Sequence, residues 1–166
     1  MLSMDRLHCL GEALRDAMVT YKSNVALIEA DRKRESARYT YNEMRVEALR
    51  VTSLLQGDGF APGDRCAILM SNQSKWLISA SGALWAGATL VPLDYELTAP
   101  EQLALLAHCQ PKVLVTEYPV WRKLQSLELS RIPKTTILVT DVPESDDLQG
   151  AIRWESVTDY VASEVD

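Results

Sequence analysis

Asp64–Gln110, DRCAILMSNQSKWLISASGALWAGATLVPLDYELTAPEQLALLAHCQ, decides the fold. Cys66–Met70 is a short unbroken apolar run, the pattern of a strand covered on both faces. Lys75–Ala86 has helical length and is apolar around most of its circumference, which predicts a core helix. Gly87 stands at its C′ position and ends it. Ala88–Leu93 reads as the next strand, and Thr98-x-x-Glu101 is a capping box that opens a further helix. Strand, crossover helix, strand is a βαβ unit, so the two strands are expected to be parallel.

Outward from this stretch the alternation continues. Leu7, Leu10, Leu14, Met18 and Tyr21 mark one face of an amphipathic helix. Val25–Ala30 and Ala37–Tyr41 flank the polar segment Asp31–Ser36, which predicts a hairpin; Arg32, Lys33 and Arg34 read as its solvated tip rather than an anion patch. Thr40-x-x-Glu43 is another capping box, starting a helix with Met44, Ala48, Val51 and Leu55 on its apolar face. Downstream, Lys112–Thr116 and Thr135–Thr140 are strands, with a short helix around Val120–Leu129 between them. Asp141–Gly150 reads as an exposed loop, and Ser156–Ala162 as a last short helix. The fold class expected is α/β, a mainly parallel sheet with helices on both faces, in one domain over 1–166.

Composition excludes several classes. With 47% hydrophobic and 24% charged residues the chain is that of an ordinary globular domain, and its net charge of −6 argues against nucleic acid as a partner. No run approaches the ~18 apolar residues of a membrane span, and the N-terminus lacks the pattern of a signal peptide. Three cysteines without C-x-x-C spacing point to reduced, buried thiols in a cytoplasmic protein.

Motifs for chemistry are few. Gly57, Gly59 and Gly63 follow a helix and open a strand, the reverse of a dinucleotide-binding loop. Ser71-Asn72-Gln73-Ser74 lies where a strand hands over to a helix, the place where open α/β sheets hold ligands and favour anions. The plainer reading, in which Ser71, Asn72 or Ser74 caps the helix, is preferred. His8 and His108 lie on predicted helices without metal-ligand spacing, and His108-Cys109 are adjacent helical residues that point apart. Asp94, just past a strand, reads as a turn residue.

The order of these pieces resembles the adenylate-forming enzymes: acyl- and aryl-CoA synthetases, firefly-type luciferases and peptide-synthetase adenylation domains. Arg38-Tyr39-Thr40-Tyr41-Asn42-Glu43-Met44 resembles their T-Y-x-E-L opening, and Pro62-Gly63-Asp64-Arg65-Cys66-Ala67-Ile68 their P-G-D-R-V-A-I strand. Ser71-Asn72 with Trp76, Leu84–Ala88 through Val91-Pro92-Leu93-Asp94, and Leu97-Thr98 to Leu103 follow in the family's order. Asp94–Thr98 with Leu105–His108 is most similar to bacterial long-chain fatty-acyl-CoA synthetases.

The resemblance implies a parent enzyme that joins a fatty acid or other carboxylate to ATP as an acyl-adenylate and then transfers the acyl group to CoA. ATP, Mg and CoA are its cofactors. The family's phosphate loop, Tyr-x-Thr-Gly-Asp segment and catalytic lysine come later in its sequences. The chain is therefore expected to be an N-terminal fragment, cut before the phosphate loop, with no catalytic, cofactor-binding or metal residue of its own. Its expected partner is the remainder of the same polypeptide. A homodimer through an orphaned face is also expected, with Trp85, Trp121 and Trp154 as candidate contacts. The competing reading is a free-standing α/β protein–protein interaction domain, or a piece of a peptide-synthetase adenylation domain.

Overall fold

The computed structural model describes residues 8–31 and 34–163. Helix α1 (Leu10–Thr20) precedes strands β1 (Val25–Asp31) and β2 (Arg34–Thr40), which form their own antiparallel ribbon. Then come α2 (Tyr41–Gly57), β3 (Arg65–Leu69), α3 (Ser74–Trp85), β4 (Thr89–Pro92), α4 (Ala99–Cys109), β5 (Val113–Glu117), α5 (Tyr118–Gln125), β6 (Thr136–Thr140) and β7 (Ile152–Arg153). Strands β3 to β7 make one sheet in the order β4-β3-β5-β6-β7, and every pairing in it is parallel.

The unbroken apolar runs have a direct cause. Alternate side chains of each strand enter two different cores, as the period of two requires. Cys66, Ile68, Val113, Val115 and Leu138 pack toward α1–α3, whereas Ala67, Leu69, Leu114 and Val139 pack toward α4 and α5. Helices thus cover both faces of the sheet.

Both capping boxes form. The Thr40 N–H donates to Glu43 Oε2 at 2.7 Å and the Glu43 N–H returns to Thr40 Oγ1 at 3.2 Å. The Thr98 N–H and hydroxyl both donate to Glu101 Oε2, at 2.9 and 2.6 Å. Gly82 lets α2 and α3 nearly touch: a Cβ there would lie 2.5 Å from the Ala48 carbonyl oxygen. The Thr52 hydroxyl bridges the same crossing, 3.0 Å from Ala48 O and 2.9 Å from Gly82 O. Gly87 ends α3 with φ +80.

Several expectations need correction. The predicted helix Ser156–Ala162 is a 3-10 segment, Trp154–Asp159. Its buried residues Trp154 and Val157 stand three apart, the spacing at which a 3-10 turn stacks side chains. The helix expected to reach Leu129 stops at Gln125, where the Ser126 hydroxyl bonds back to Lys123 O at 2.7 Å. The Asp141–Gly150 loop is not wholly exposed, because Leu148 is buried against the α4/α5 face. At β7 only two residues pair, too few to carry a periodic signal.

Two of the three candidate tryptophans are not available to a partner. Trp121 and Trp154 are buried, one in each core, and half-buried Trp85 donates its indole N–H to Gly11 O at 2.9 Å. Nor are all thiols buried: Cys66 is, Cys109 is half-buried and Cys9 is exposed, all three free. Met18 fills the α1 face as expected, but Leu10 is exposed, and Leu7, like Arg32 and Lys33, lies outside the described residues. No helix among the described residues is long and apolar enough to cross a membrane.

Candidate functional site

The sheet has one topological switch point. From β3 the chain moves outward to β4, then returns across β3 to β5, so the connections leaving the adjacent strands β3 and β5 diverge. The crevice outside the carboxyl ends of two such strands is where open α/β sheets place ligands. Here those ends are Ser71-Asn72-Gln73, leading into α3, and Glu117, the last residue of β5.

A cavity of about 950 Å³ opens at this point. Its walls are the ribbon strands β1 and β2, the first turn of α3, and the ends of β5 and β6 at Glu117 and Asp141. Glu117 closes the gap between the strand ends. Its Oε2 accepts from the Ser71 hydroxyl at 2.7 Å, the Ser71 N–H at 3.3 Å and the Gln73 side-chain amide at 3.2 Å. Across the crevice Lys75 Nζ meets Asp141 Oδ1 at 2.6 Å. Partial burial works to raise the Asp141 carboxyl, but the Lys75 and Thr140 hydrogen bonds outweigh it and hold the group below its ordinary value.

Helix α3 is not capped as expected. Gln73 is its N-cap residue and makes no side-chain cap bond, the Ser71 hydroxyl is engaged by Glu117, Asn72 is exposed, and Ser74 is already the first helical residue. The cap comes instead from Glu29 of β1, whose Oε1 accepts the Ser74 N–H. A carboxylate carries full charge to the positive end of the helix dipole, which a hydroxyl does not. The anion position that every helix start offers is thus filled by the protein's own side chain.

The lining is strongly acidic. Glu29, Asp31, Glu117 and Asp141 face one cation, Lys75, itself paired with Asp141. Leu27, Ile28, Tyr39, Trp76 and Leu77 supply the apolar part. A smaller adjoining hollow of about 340 Å³ shares Tyr39 and Lys75 with it.

The remaining candidates stay apart from this site. His8 precedes α1, where its N–H donates to Glu12 Oε2 at 2.8 Å. His108 is exposed in the last turn of α4, and the Cys109 thiol points back to Leu106 O at 3.7 Å. Burial raises the Cys109 thiol and pushes Cys66 up to about 12, so both are less ionised at neutral pH than an ordinary thiol. Asp94 accepts the Glu96 N–H at 2.9 Å, a turn ahead of α4. No cluster of three or more His, Cys, Asp or Glu suited to a metal occurs among the described residues. Glu29 and Glu117 escaped the sequence reading. Their signal was slight: an acid interrupting an apolar run in VALIEA, and an acid one residue past the end of one in VLVTE.

Comparison with known proteins agrees with this fold. Residues 14–164 match the family described as AMP-binding enzyme. The long-chain-fatty-acid–CoA ligase FadD13 of Mycobacterium tuberculosis is 33% identical over 116 residues, covering 70% of this chain and 23% of that protein. The 4-hydroxybutyrate–CoA ligase 2 of Metallosphaera sedula is 26% identical over 135 residues, covering 81% and 23%. The crystal structure of the anthranilate CoA ligase AuaEII with anthranoyl-AMP superposes with a TM-score of 0.80 at 20% identity, covering 93% of this chain and 28% of that one. The chain spans about a quarter of the length of the curated relatives it matches. The chain belongs to the AMP-binding enzyme family.

Proposed function

We propose that these 166 residues are the N-terminal portion of an acid–thiol ligase. In this reading the whole protein activates a carboxylic acid with ATP as an acyl-adenylate, releases pyrophosphate, and passes the acyl group to CoA. The substrate proposed is a fatty acid. The observation that carries it is the 33% identity to a long-chain-fatty-acid–CoA ligase over 70% of this chain. The carnitine and hydroxybutyrate CoA ligases among the relatives support the thiol and the reaction type more broadly than the acyl chain.

ATP's phosphates do not fit the cavity at the start of α3. Glu29 already holds the Ser74 N–H, and Glu117, Asp31 and Asp141 repel a polyanion. The nucleotide, Mg and CoA sites are therefore proposed to lie in polypeptide beyond these residues, together with the phosphate loop and catalytic lysine. The 166 residues supply a scaffold and no catalytic side chain. Their main partner is the rest of the same chain, in the cytoplasm. A two-fold dimer of the isolated residues is proposed as well, and light scattering over a concentration series tests it.

The functional test compares two proteins. The 166-residue chain is expected to release no pyrophosphate with Mg-ATP and palmitate. The product of the longest reading frame containing it is expected to do so, in a CoA-dependent cycle. Pyrophosphate release by the short chain, or a frame that yields no ligase activity with any carboxylate, overturns the reading.

A further inference from the structure

We propose that the β1–β2 ribbon is a hinged strap over the switch-point cavity, and that Glu29 on the Ser74 N–H is its latch. The inference rests on the architecture of these residues and does not depend on the ligase reading.

The ribbon is a separate two-stranded sheet that pairs with no strand of the main sheet. Such a pair is marginal in water without support from elsewhere. Its support is concentrated at the base. There the Tyr41 N–H donates to Asn24 O at 3.0 Å and the Asn42 N–H to Lys22 O at 2.9 Å. Ala26, Leu27 and Tyr39 pack against the core at the same end. Beyond Leu27 the strands are largely exposed, with Ile28 at 48%. Among the described residues, Glu29 makes the single hydrogen bond that joins ribbon residues 26–39 to the helices and main sheet.

The ribbon is also built to bend. Its register shifts twice, with Ala26 the extra residue on β1 and Ser36 the extra residue on β2, opposite the Glu29–Ala30 step. Such irregularities sharpen the twist of a strand pair and redirect side chains. One lies at the base and the other beside Glu29, so the stretch between them turns as a unit and carries the carboxylate to α3. The dependence runs both ways, since α3 has no cap from its own loop. With the latch made, β1 and α3 form facing walls of the cavity, with Ile28 and Leu77 exposed on them. With it broken, the outer ribbon has nothing polar to hold it and the cavity opens on that side.

Hydrogen–deuterium exchange on the 166-residue chain tests this. In Glu29→Ala the amides of residues 27–31 and 34–39 should exchange about tenfold faster or more, as expected for loss of a charge-assisted hydrogen bond. Protection in β3 and β5 should be unchanged. Asp31→Ala, on the same strand without the contact, should match the wild type. Ribbon exchange equal to wild type in Glu29→Ala overturns the proposal, and so does loss of protection throughout, which would make Glu29 a general fold residue. If the alanine variant cannot be isolated, Glu29→Gln keeps the size and loses the charge; a fewfold rise confined to the ribbon is expected, and no rise is equally decisive against it.

Discussion

The Ser71 hydroxyl donates to Glu117 Oε2 at 2.7 Å and so ties together the carboxyl ends of β3 and β5, the two strands between which the sheet changes direction. The contact is half-buried and backed by the Ser71 N–H and the Gln73 amide on the same oxygen. Removing either partner leaves the other polar group poorly satisfied, which costs about 1–3 kcal/mol for a buried group and nearer the lower end here. Ser71→Ala and Glu117→Gln should each lower the urea midpoint, and the double variant should lose less than the two losses added. Strict additivity in that cycle would show that the pair is not coupled.

The crossing of α2 over α3 depends on a missing Cβ. At Gly82 that atom would lie 2.5 Å from Ala48 O and 2.7 Å from Val51 Cβ, neither on a flexible chain end. Gly82→Ala should therefore destabilise by about 1–3 kcal/mol through overpacking, despite alanine's better helix propensity. Gly57 is the internal control. Its Cβ would meet only the Tyr160 ring at 3.9 Å, and Gly57→Ala should be neutral or stabilising by up to about 1 kcal/mol. Thermal unfolding of the two variants should move in opposite directions; equal shifts would contradict the packing described.

Stability should fall in acid through identifiable carboxylates. Asp141 is held below its ordinary value of 3.8, against the effect of its own partial burial, by Lys75 and Thr140. Glu43 is lowered by the Thr40 N–H, Glu101 by the Thr98 hydroxyl and Asp64 by the Ala61 N–H. A group whose folded value is depressed stabilises the fold above its unfolded value and loses that contribution as pH falls through the folded one. The stability of the wild type should thus be level near neutrality and decline below about pH 4. Asp141→Asn isolates one component, because asparagine tolerates the left-handed backbone at this position, φ +60. Denaturant melts should separate the two proteins at pH 7, and the gap should narrow as the pH falls below about 4. A constant gap across that range would remove the Lys75 pair as its cause.

What was legible in the sequence was whatever repeats with a period. Cys66–Leu69 and Val113–Val115 alternate between two apolar cores and so read as continuous apolar runs, and the two capping boxes declare their helices from four residues each. The two-residue strand Ile152–Arg153 was not legible, because its place is fixed by pairing with Leu138 and Val139 and by nothing in its own pattern. The site was legible by position and not by content. Strand-to-helix hand-over marked Ser71–Ser74, where the preferred reading is a helix cap, but the groups that bond to this stretch arrive from distant strands, Glu29 and Glu117. Local sequence offers serine and asparagine as caps; only the tertiary fold reveals a carboxylate already in that place.

The three thiols should report the fold in three distinct ways. Thiolate is the reactive form, so both access and the ease of ionisation set the rate of labelling. Cys9 is exposed and should react with a disulfide reagent fastest of the three. Cys109 is half-buried, its thiol raised by that burial and turned toward Leu106 O, and should react more slowly. Cys66 sits in the interior strand β3, flanked in register by Leu90 on one side and Val113 on the other, with 1% of its surface exposed. Burial pushes its thiol to about 12, leaving on the order of one thiolate in ten thousand at pH 8. Its labelling should require separation of β3 from the helices above it, and should follow the global unfolding rate across a denaturant series. The expected titration in native buffer is one fast thiol, one slow and one silent. A Cys66 that reacts natively at the pace of Cys9 would place β3 at an open edge, in conflict with the strand order β4-β3-β5.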